Sequence, residues 1–311
     1  FGEGIYRLIN YGGALTDNGL LVGTRPDGFT ASVITNIGGQ ISVQFTLGIP
    51  TVLYWDGTDT TAASSAITGN GGSGTWNSTS TNWTSAPGFS TAFGWNSQTG
   101  VFAGAAGGTV QVSGTQAFQQ LRFETGGYVL NTAPGGGALA TTGGTSVIDV
   151  SAGLGATINA PIQGTAGITK AGAGTLTLGG FNSYAGLTSI AAGTLALSSG
   201  GTIVGAVDNG ASFANAGNVR GQVTNRASLT STGRLDGGLV NAATGIANLS
   251  GVWNGAISNA GTVRLSGLTS GNVAFNQQGS GLFDLAGSFA SIGSLAGSGS
   301  VQLGSGLLQL G

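Results

Sequence analysis

Four short phrases near the end of the chain keep three positions and change the rest. GAVDN at Gly205–Asn209, GQVTN at Gly221–Asn225, GGLVN at Gly237–Asn241 and GAISN at Gly255–Asn259 share a leading glycine, an aliphatic third residue and a closing asparagine. Their leading glycines, Gly205, Gly221, Gly237 and Gly255, thus recur at a nearly constant step. GNVAFN continues the series at Gly271, with one extra residue before Asn276. A second phrase alternates with the first: GNVR at Gly217, GRLD at Gly233, GTVRLSG at Gly261, GLFDL at Gly281 and GSVQL at Gly299. The register is irregular around residues 245–253, where a bulge or an adjusted coil is expected.

A related pair lies upstream. GTLTL at Gly174–Leu178 returns as GTLAL at Gly193–Leu197, after a slightly longer step. Leucines alternate with Thr or Ala, the period-two signature of a strand with one apolar face. A recurring step of this size, with two or three such mini-strands in each, describes a parallel β-helix in which each coil lies on the one before. Crossover chirality favours a right-handed winding. At about 18 residues per coil the whole chain would make about 17 coils, a rod of roughly 80 Å. The fuller Leu and Asn consensus of leucine-rich repeats is not met.

Composition fits this all-β reading. Charged residues are 6% and glycines number 63 of 311, yet 40% of residues are hydrophobic, which disorder would not require. Net charge is −2, and the single lysine and seven arginines form no cluster. A phosphate-binding stripe is therefore absent, and nucleic acid is not an expected partner. The chain has no Cys, which excludes disulfides and suits export through an oxidising compartment. No apolar run reaches the roughly 18 residues of a membrane helix. The first residues show neither an initiator Met nor a signal-peptide pattern, so the chain reads as a piece of a longer polypeptide.

Three regions follow. Residues 1–53 are expected to form N-terminal β coils: Ile5, Arg7 and Ile9 share one strand face, Tyr6 and Leu8 the other, and Ile41, Val43 and Phe45 line a further strand. Residues 54–104 lose the alternation and read as an irregular excursion rich in Trp, Gly, Ser and Thr. Residues 105–311 resume as parallel β-helix.

The stretch Ile168–Leu197 closely resembles the autotransporter-associated β-strand repeat of bacterial autotransporter passengers. The pattern is carried by Lys170, Gly172, Gly174, Leu176, Leu178, Asn182, Tyr184, Gly186, Thr188, Gly193, Leu195 and Leu197. Leu187 departs from it, standing where a small residue is usual. YRLINYGGALTDNGL and the Trp-containing stretch are similar to large passengers of the same family. The resemblance implies a right-handed β-helix on the surface of a Gram-negative cell, exported through the outer membrane by a translocator barrel of the same polypeptide. It implies no single activity, because passengers include adhesins, proteases, esterases and inert stalks.

Chemistry is sparse. Without His or Cys, Ser-His-Asp, Cys-His and His-metal sites cannot be built. No nucleophile elbow and no phosphate loop is present, and the glycine spacing in GTAGITKAGAG precedes no helix. Paired carboxylates could act on polysaccharide. The nearest pair is Asp56 with Asp59, and Asp208 with Asp236 is a remoter one brought closer by stacking. Asp56 and Asp59 read as turn carboxylates or a weak Ca²⁺ site. Trp55, Trp76, Trp83 and Trp95 each adjoin an Asn or Asp, which suits either a glycan-stacking platform or a satellite core. Trp76, Trp83 and Trp95 are expected to gather on one side. Asn209, Asn225, Asn241 and Asn259 suit an amide ladder at a turn that tolerates left-handed backbone, or a row of ligand-binding amides.

The reading is thus an all-β, right-handed parallel β-helix without cofactor or metal, acting as a surface stalk or adhesin toward host or bacterial glycans and proteins. Candidate ligand contacts are Trp76, Trp83, Trp95 and Asp56. The alternatives are a polysaccharide-acting enzyme and a purely structural spacer.

Overall fold

The computed structural model describes residues 4–24, 29–48, 50–61, 69–85, 92–266, 269–270 and 273–311. Every regular element among them is a strand. Most strands belong to three stacked faces of a parallel β-solenoid of about 11 turns. One turn shows the plan. Ser212–Asn215 lies in a thirteen-stranded sheet, Asn218–Val219 in a five-stranded sheet and Val223–Asn225 in a fourteen-stranded sheet. Ser228–Ser231 then starts the next turn directly on Ser212–Asn215, in parallel register.

Two-residue alternation sets which side chains enter. Leu176 pairs with Leu195 and Leu178 with Leu197, and all four are buried. Phe213, Leu229, Ala247, Val263 and Phe283 form another interior column, one residue per turn. Between strands the chain must bend while lying about 4.8 Å from the turn before. At Gly221 an added Cβ would overlap the carbonyl oxygen of Gly205, and at Gly237 that of Gly221. The leading glycine of each phrase is therefore fixed by stacking at one corner, because any side chain there would meet backbone.

The second phrase of the sequence mixes two corners. Gly217 and Gly233 precede five-stranded-sheet strands, whereas Gly261, Gly281 and Gly299 precede strands of the thirteen-stranded sheet. Both corners need glycine and both lead into an inward apolar residue, so the letters coincide. The irregular stretch 245–253 keeps its pairing: Ile246–Leu249 aligns with Ser228–Ser231, and Val252–Trp253 with Arg234–Leu235. The added length sits in the corner after Asn241, where Gly245 N–H donates to the Ala242 carbonyl.

Three expectations need correction. The turn count falls well short of the number expected, partly because the described strands between Gly4 and Leu47 do not form coils. Gly4–Asn10, Phe29–Ile34 and Gln40–Leu47 make an antiparallel three-stranded sheet with Gln40–Leu47 in the centre. At six to eight residues these strands are longer than most solenoid strands, and they pack a separate small core of Phe29, Val43 and Phe45. Early solenoid turns are also long, as between Gln120–Phe123 and Ser146–Val150. Lastly, the described strands of the Trp-rich stretch, expected as an excursion, pair into the solenoid's sheets. Val52–Trp55 joins the fourteen-stranded sheet, Gly74–Trp76 the thirteen-stranded sheet, and Trp83–Ser85 with Ala92–Phe93 extends the former in antiparallel fashion. Residues 62–68 and 86–91 of that stretch lie outside the described residues, as does Gly271.

Leu178→Asp places a carboxylate where no partner exists, between the stacked Leu197 and Ile158. It is expected to cost several kcal/mol, on the order of the penalty for burying an unpaired charge, and to lower the melting temperature followed by circular dichroism. An unchanged melting temperature would place this residue on the wrong face.

Candidate functional site

The indoles lie at the head of the solenoid. Trp55 and Trp83 meet edge to face at 5.2 Å between centroids, as do Trp76 and Trp83 at 5.2 Å, while Trp83 and Trp95 lie tilted at 4.6 Å. Phe102 closes against Trp55, Trp76 and Trp83. Among the described residues no earlier turn stacks on the first full turn, and these rings fill the core at that end. Trp55 Nε1–H donates to Gly72 O at 2.9 Å, and Trp95 Nε1–H to Ala117 O at 2.6 Å. Trp76 and Trp83 are 0% exposed and Trp95 is half-buried. The three do gather, but inside: a fully covered ring offers no face to a sugar, so the stacking geometry is missing at Trp76 and Trp83.

The polar residues beside them serve turns. Asp56 is buried, and its Oδ1 accepts Asn70 N–H at 2.5 Å. Asn82 Nδ2 donates to Gly57 O and Thr75 O, and Asn96 Nδ2 to Pro50 O. Asn77 Oδ1 accepts the N–H groups of Thr79 and Ser80. The Thr61 hydroxyl and N–H both donate to Asp59, which holds that exposed carboxyl below its ordinary range. Among the described residues no group of three or more His, Cys, Asp or Glu is arranged to hold a metal.

The four asparagines stand in one interior column of the fourteen-stranded sheet. Asn209 Nδ2 donates to Asn225 Oδ1 at 2.7 Å, Asn225 to Asn241 at 2.8 Å, and Asn241 to Asn259 at 2.8 Å. Asn259 donates onward to Gln277 Oε1 at 2.7 Å. Each amide also serves corner carbonyls of the next turn, as Asn225 does for Ile246 O and Asn241 for Thr262 O. All five are nearly inaccessible to solvent, so this row cannot contact a ligand at its surface. The left-handed backbone expected here is absent: among described non-glycine residues positive φ occurs at Ser97 and Ala286. The column also passes through Gln277, because Asn276 pairs with Ser258 and points outward. Gln277 carries the same amide on a longer stem, which a search for a repeated Asn passes over. Asn215 begins a second polar column, donating to Ser231 Oγ at 3.0 Å.

Upstream, the same column holds Ile190, Lys170 and Ile148. Lys170 is the one lysine of the chain. Its buried ammonium donates to the carbonyls of Ala171 at 2.5 Å, Gly172 at 2.7 Å and Ala192 at 3.2 Å, joining the corners of two turns. Burial pushes its amine below the usual lysine range, with the charge of Asp149 opposing the shift. Asn182 ties three segments in the same way: its Oδ1 accepts Ile162 N–H, and its Nδ2 donates to Gly180 O and Thr202 O. Tyr184 and Thr188 share a buried hydroxyl–hydroxyl bond of 2.6 Å. The fixed polar letters of the 168–197 repeat are therefore internal fasteners.

Stacking does not bring Asp208 and Asp236 together. Asp208 lies on the fourteen-stranded sheet and bonds Arg226 at 2.9 Å. Asp236 follows the five-stranded-sheet strand Arg234–Leu235 and accepts from Arg234 at 3.0 Å and Asn254 at 2.6 Å. Carboxylates on different faces, each held by its own arginine, are not an acid–base pair.

Outward positions form flat rows. Thr175, Thr194, Ser212 and Ser228 align on the thirteen-stranded face, and Thr169, Ser189, Asp208 and Thr224 on the fourteen-stranded face. Residues 168–197 match the family described as passenger-associated-transport-repeat. Over 200 residues the chain is 34% identical to the adhesin BmaC autotransporter of Brucella suis biovar 1 (strain 1330), an alignment that covers 59% of this chain and 5% of that protein. The chain thus spans a small part of the curated relative it matches. No solved structure matches it significantly. Together the repeat and the relative support an autotransporter passenger segment with a transport-associated repeat.

Two outcomes follow from the fasteners. Asn225→Ala removes an acceptor from Asn209 and the donor to Asn241, and is expected to cost about 2–4 kcal/mol in urea unfolding, since each orphaned buried group costs about 1–3 kcal/mol. The outward neighbour Thr224→Ala should stay within about 0.5 kcal/mol; equal losses would deny the column its role. Tyr184 gives a pH signature. Burial pushes its hydroxyl above the ordinary tyrosine value of 10.0, with Thr188 opposing. The folded chain therefore keeps a proton that the unfolded chain loses, and this stabilisation is complete below pH 10.0 and falls as pH rises above it. Tyr184→Phe should flatten the fall of melting temperature above that pH. An unaltered slope would contradict the assignment.

Proposed function

We propose that the chain is a surface-displayed passenger segment of a bacterial autotransporter, working as a rigid β-helical stalk with an adhesive exterior. The observation that carries this reading is the continuous interior column from Asn209 to Gln277, which fastens each turn to the next and leaves the outside flat and polar. A solenoid of this kind lengthens by adding turns, each needing only its neighbours. Contact area can then grow along the rod without any deep pocket. The relative's description as an adhesin supports the adhesive half of the proposal.

Export follows the same line. Similarity to an autotransporter implies a translocator on the same polypeptide and delivery to the outer surface of a Gram-negative cell. The partners on this reading are glycans or proteins of host or neighbouring cells. An enzymatic role has little to work with here: the chain has no His and no Cys, and Asp208 and Asp236 are each committed to an arginine.

The test is display of this segment on a non-adherent bacterium through a heterologous translocator. Attachment to cultured host cells or to sister bacteria should rise several-fold over the translocator alone. Full display with no gain in attachment would remove adhesion and leave a spacer.

A further inference from the structure

From residue 92 onward, four of the five described arginines pair with a carboxylate: Arg122 with Glu124, Arg226 with Asp208, Arg234 with Asp236 and Arg264 with Asp284. Arg220 is the exception. Its guanidinium carbon lies 5.3 Å from the centroid of the Phe181 ring. The two residues belong to turns two apart on the five-stranded face, where Phe181, Thr202 and Asn218 align in register. Arg220 therefore reaches back across the intervening turn to lie over the ring. It turns away from Asp236 on the other side, whose Oδ1 is already taken by Arg234 and Asn254.

Phe181 is 47% exposed. It is not one of the positions the repeat pattern needs, and its outward row continues through Thr202, Asn218, Arg234 and Val252, so it is the one aromatic ring of that row. A guanidinium over an aromatic ring is held in place while its edge N–H donors stay available, and that edge matches a carboxylate with two parallel hydrogen bonds. Thr202, on the turn between ring and guanidinium, is partly exposed and brings a hydroxyl to the same face. Ring, fork and hydroxyl-bonding groups together suit a pyranose that bears a carboxylate: the apolar edge of the sugar meets Phe181 and the acid meets Arg220. The flat, open face suits a unit within a polymer better than an isolated small ligand in a pocket.

We propose that Phe181 and Arg220 form a recognition site for carboxylated saccharide, of the uronic-acid type, within an acidic polysaccharide. The proposal rests on the adhesive reading of the solenoid and names one ligand class for it. The test is titration of the soluble chain with polygalacturonate, with dextran as neutral polymer and poly-L-glutamate as a carboxylate polymer without sugar. Polygalacturonate should bind and dextran should not. Arg220→Ala should weaken binding at least tenfold, Arg220→Lys at least fivefold because the charge remains and the fork is lost, and Phe181→Ala several-fold, all with an unchanged melting temperature. Wild-type affinity in Arg220→Ala, or no binding of polygalacturonate by the parent chain, would overturn the site. Equal affinity for poly-L-glutamate would overturn the saccharide assignment and point to acidic protein. Binding in solution is read apart from display, so Arg220-dependent polygalacturonate binding without cell attachment would support the site while contradicting the adhesive reading.

Discussion

Everything in the solenoid depends on one constraint: each strand must hydrogen-bond in parallel register to the strand one turn away. Register puts like positions on top of one another about 4.8 Å apart. A polar side chain inside would ordinarily leave donors and acceptors without partners, at a cost of about 1–3 kcal/mol each. Stacked amides resolve this, because an Asn is both donor and acceptor and its neighbour in the column is another amide. Asn225 shows the arrangement in full, accepting from Asn209 and donating to Asn241 and to the next corner. The same spacing forbids a Cβ at the corner beneath Gly205, Gly221 and Gly237. Glycine and asparagine, the letters that recur, are those that register leaves least free.

This explains what could be read in the sequence. The alternation of Leu176 and Leu178, and its return at Leu195 and Leu197, follows directly from inward and outward strand positions, and so was legible. The head of the solenoid was not. Among the described residues no turn precedes its first one, and the core there is closed by unlike residues, Trp55, Trp76 and Trp83, which carry no period. The antiparallel sheet of residues 4–47 is likewise invisible to a search for stacked turns, since its alternating residues fit coil and hairpin alike. Two corners merged because both begin with glycine. Gln277 escaped because chemistry, an amide at the right height, is kept there while the letter is not.

For the site, burial reversed the apparent candidates. Tryptophan beside asparagine suggests sugar stacking, yet those indoles face one another and the asparagines hold turns. The tidy row of asparagines is interior. Contact with other molecules must therefore use what is left outside: the Thr, Ser and Asn rows, and the few residues that interrupt them. Phe181 and Arg220 are such an interruption. On the proposed adhesive reading, repeated letters secure the rod and non-repeated exterior letters are left to contact a ligand.

The central claim is that the amide column is buried and bonded turn to turn, and the side-chain protons can report on it directly. Hydrogen exchange of the Nδ2 protons of Asn225 and Asn241, followed by NMR, should be slowed by orders of magnitude relative to an exposed amide such as Asn276, which points outward beside the column. Exchange of Asn225 and Asn241 at the rate of a solvent-exposed amide would contradict the column, and with it the register on which the solenoid is built.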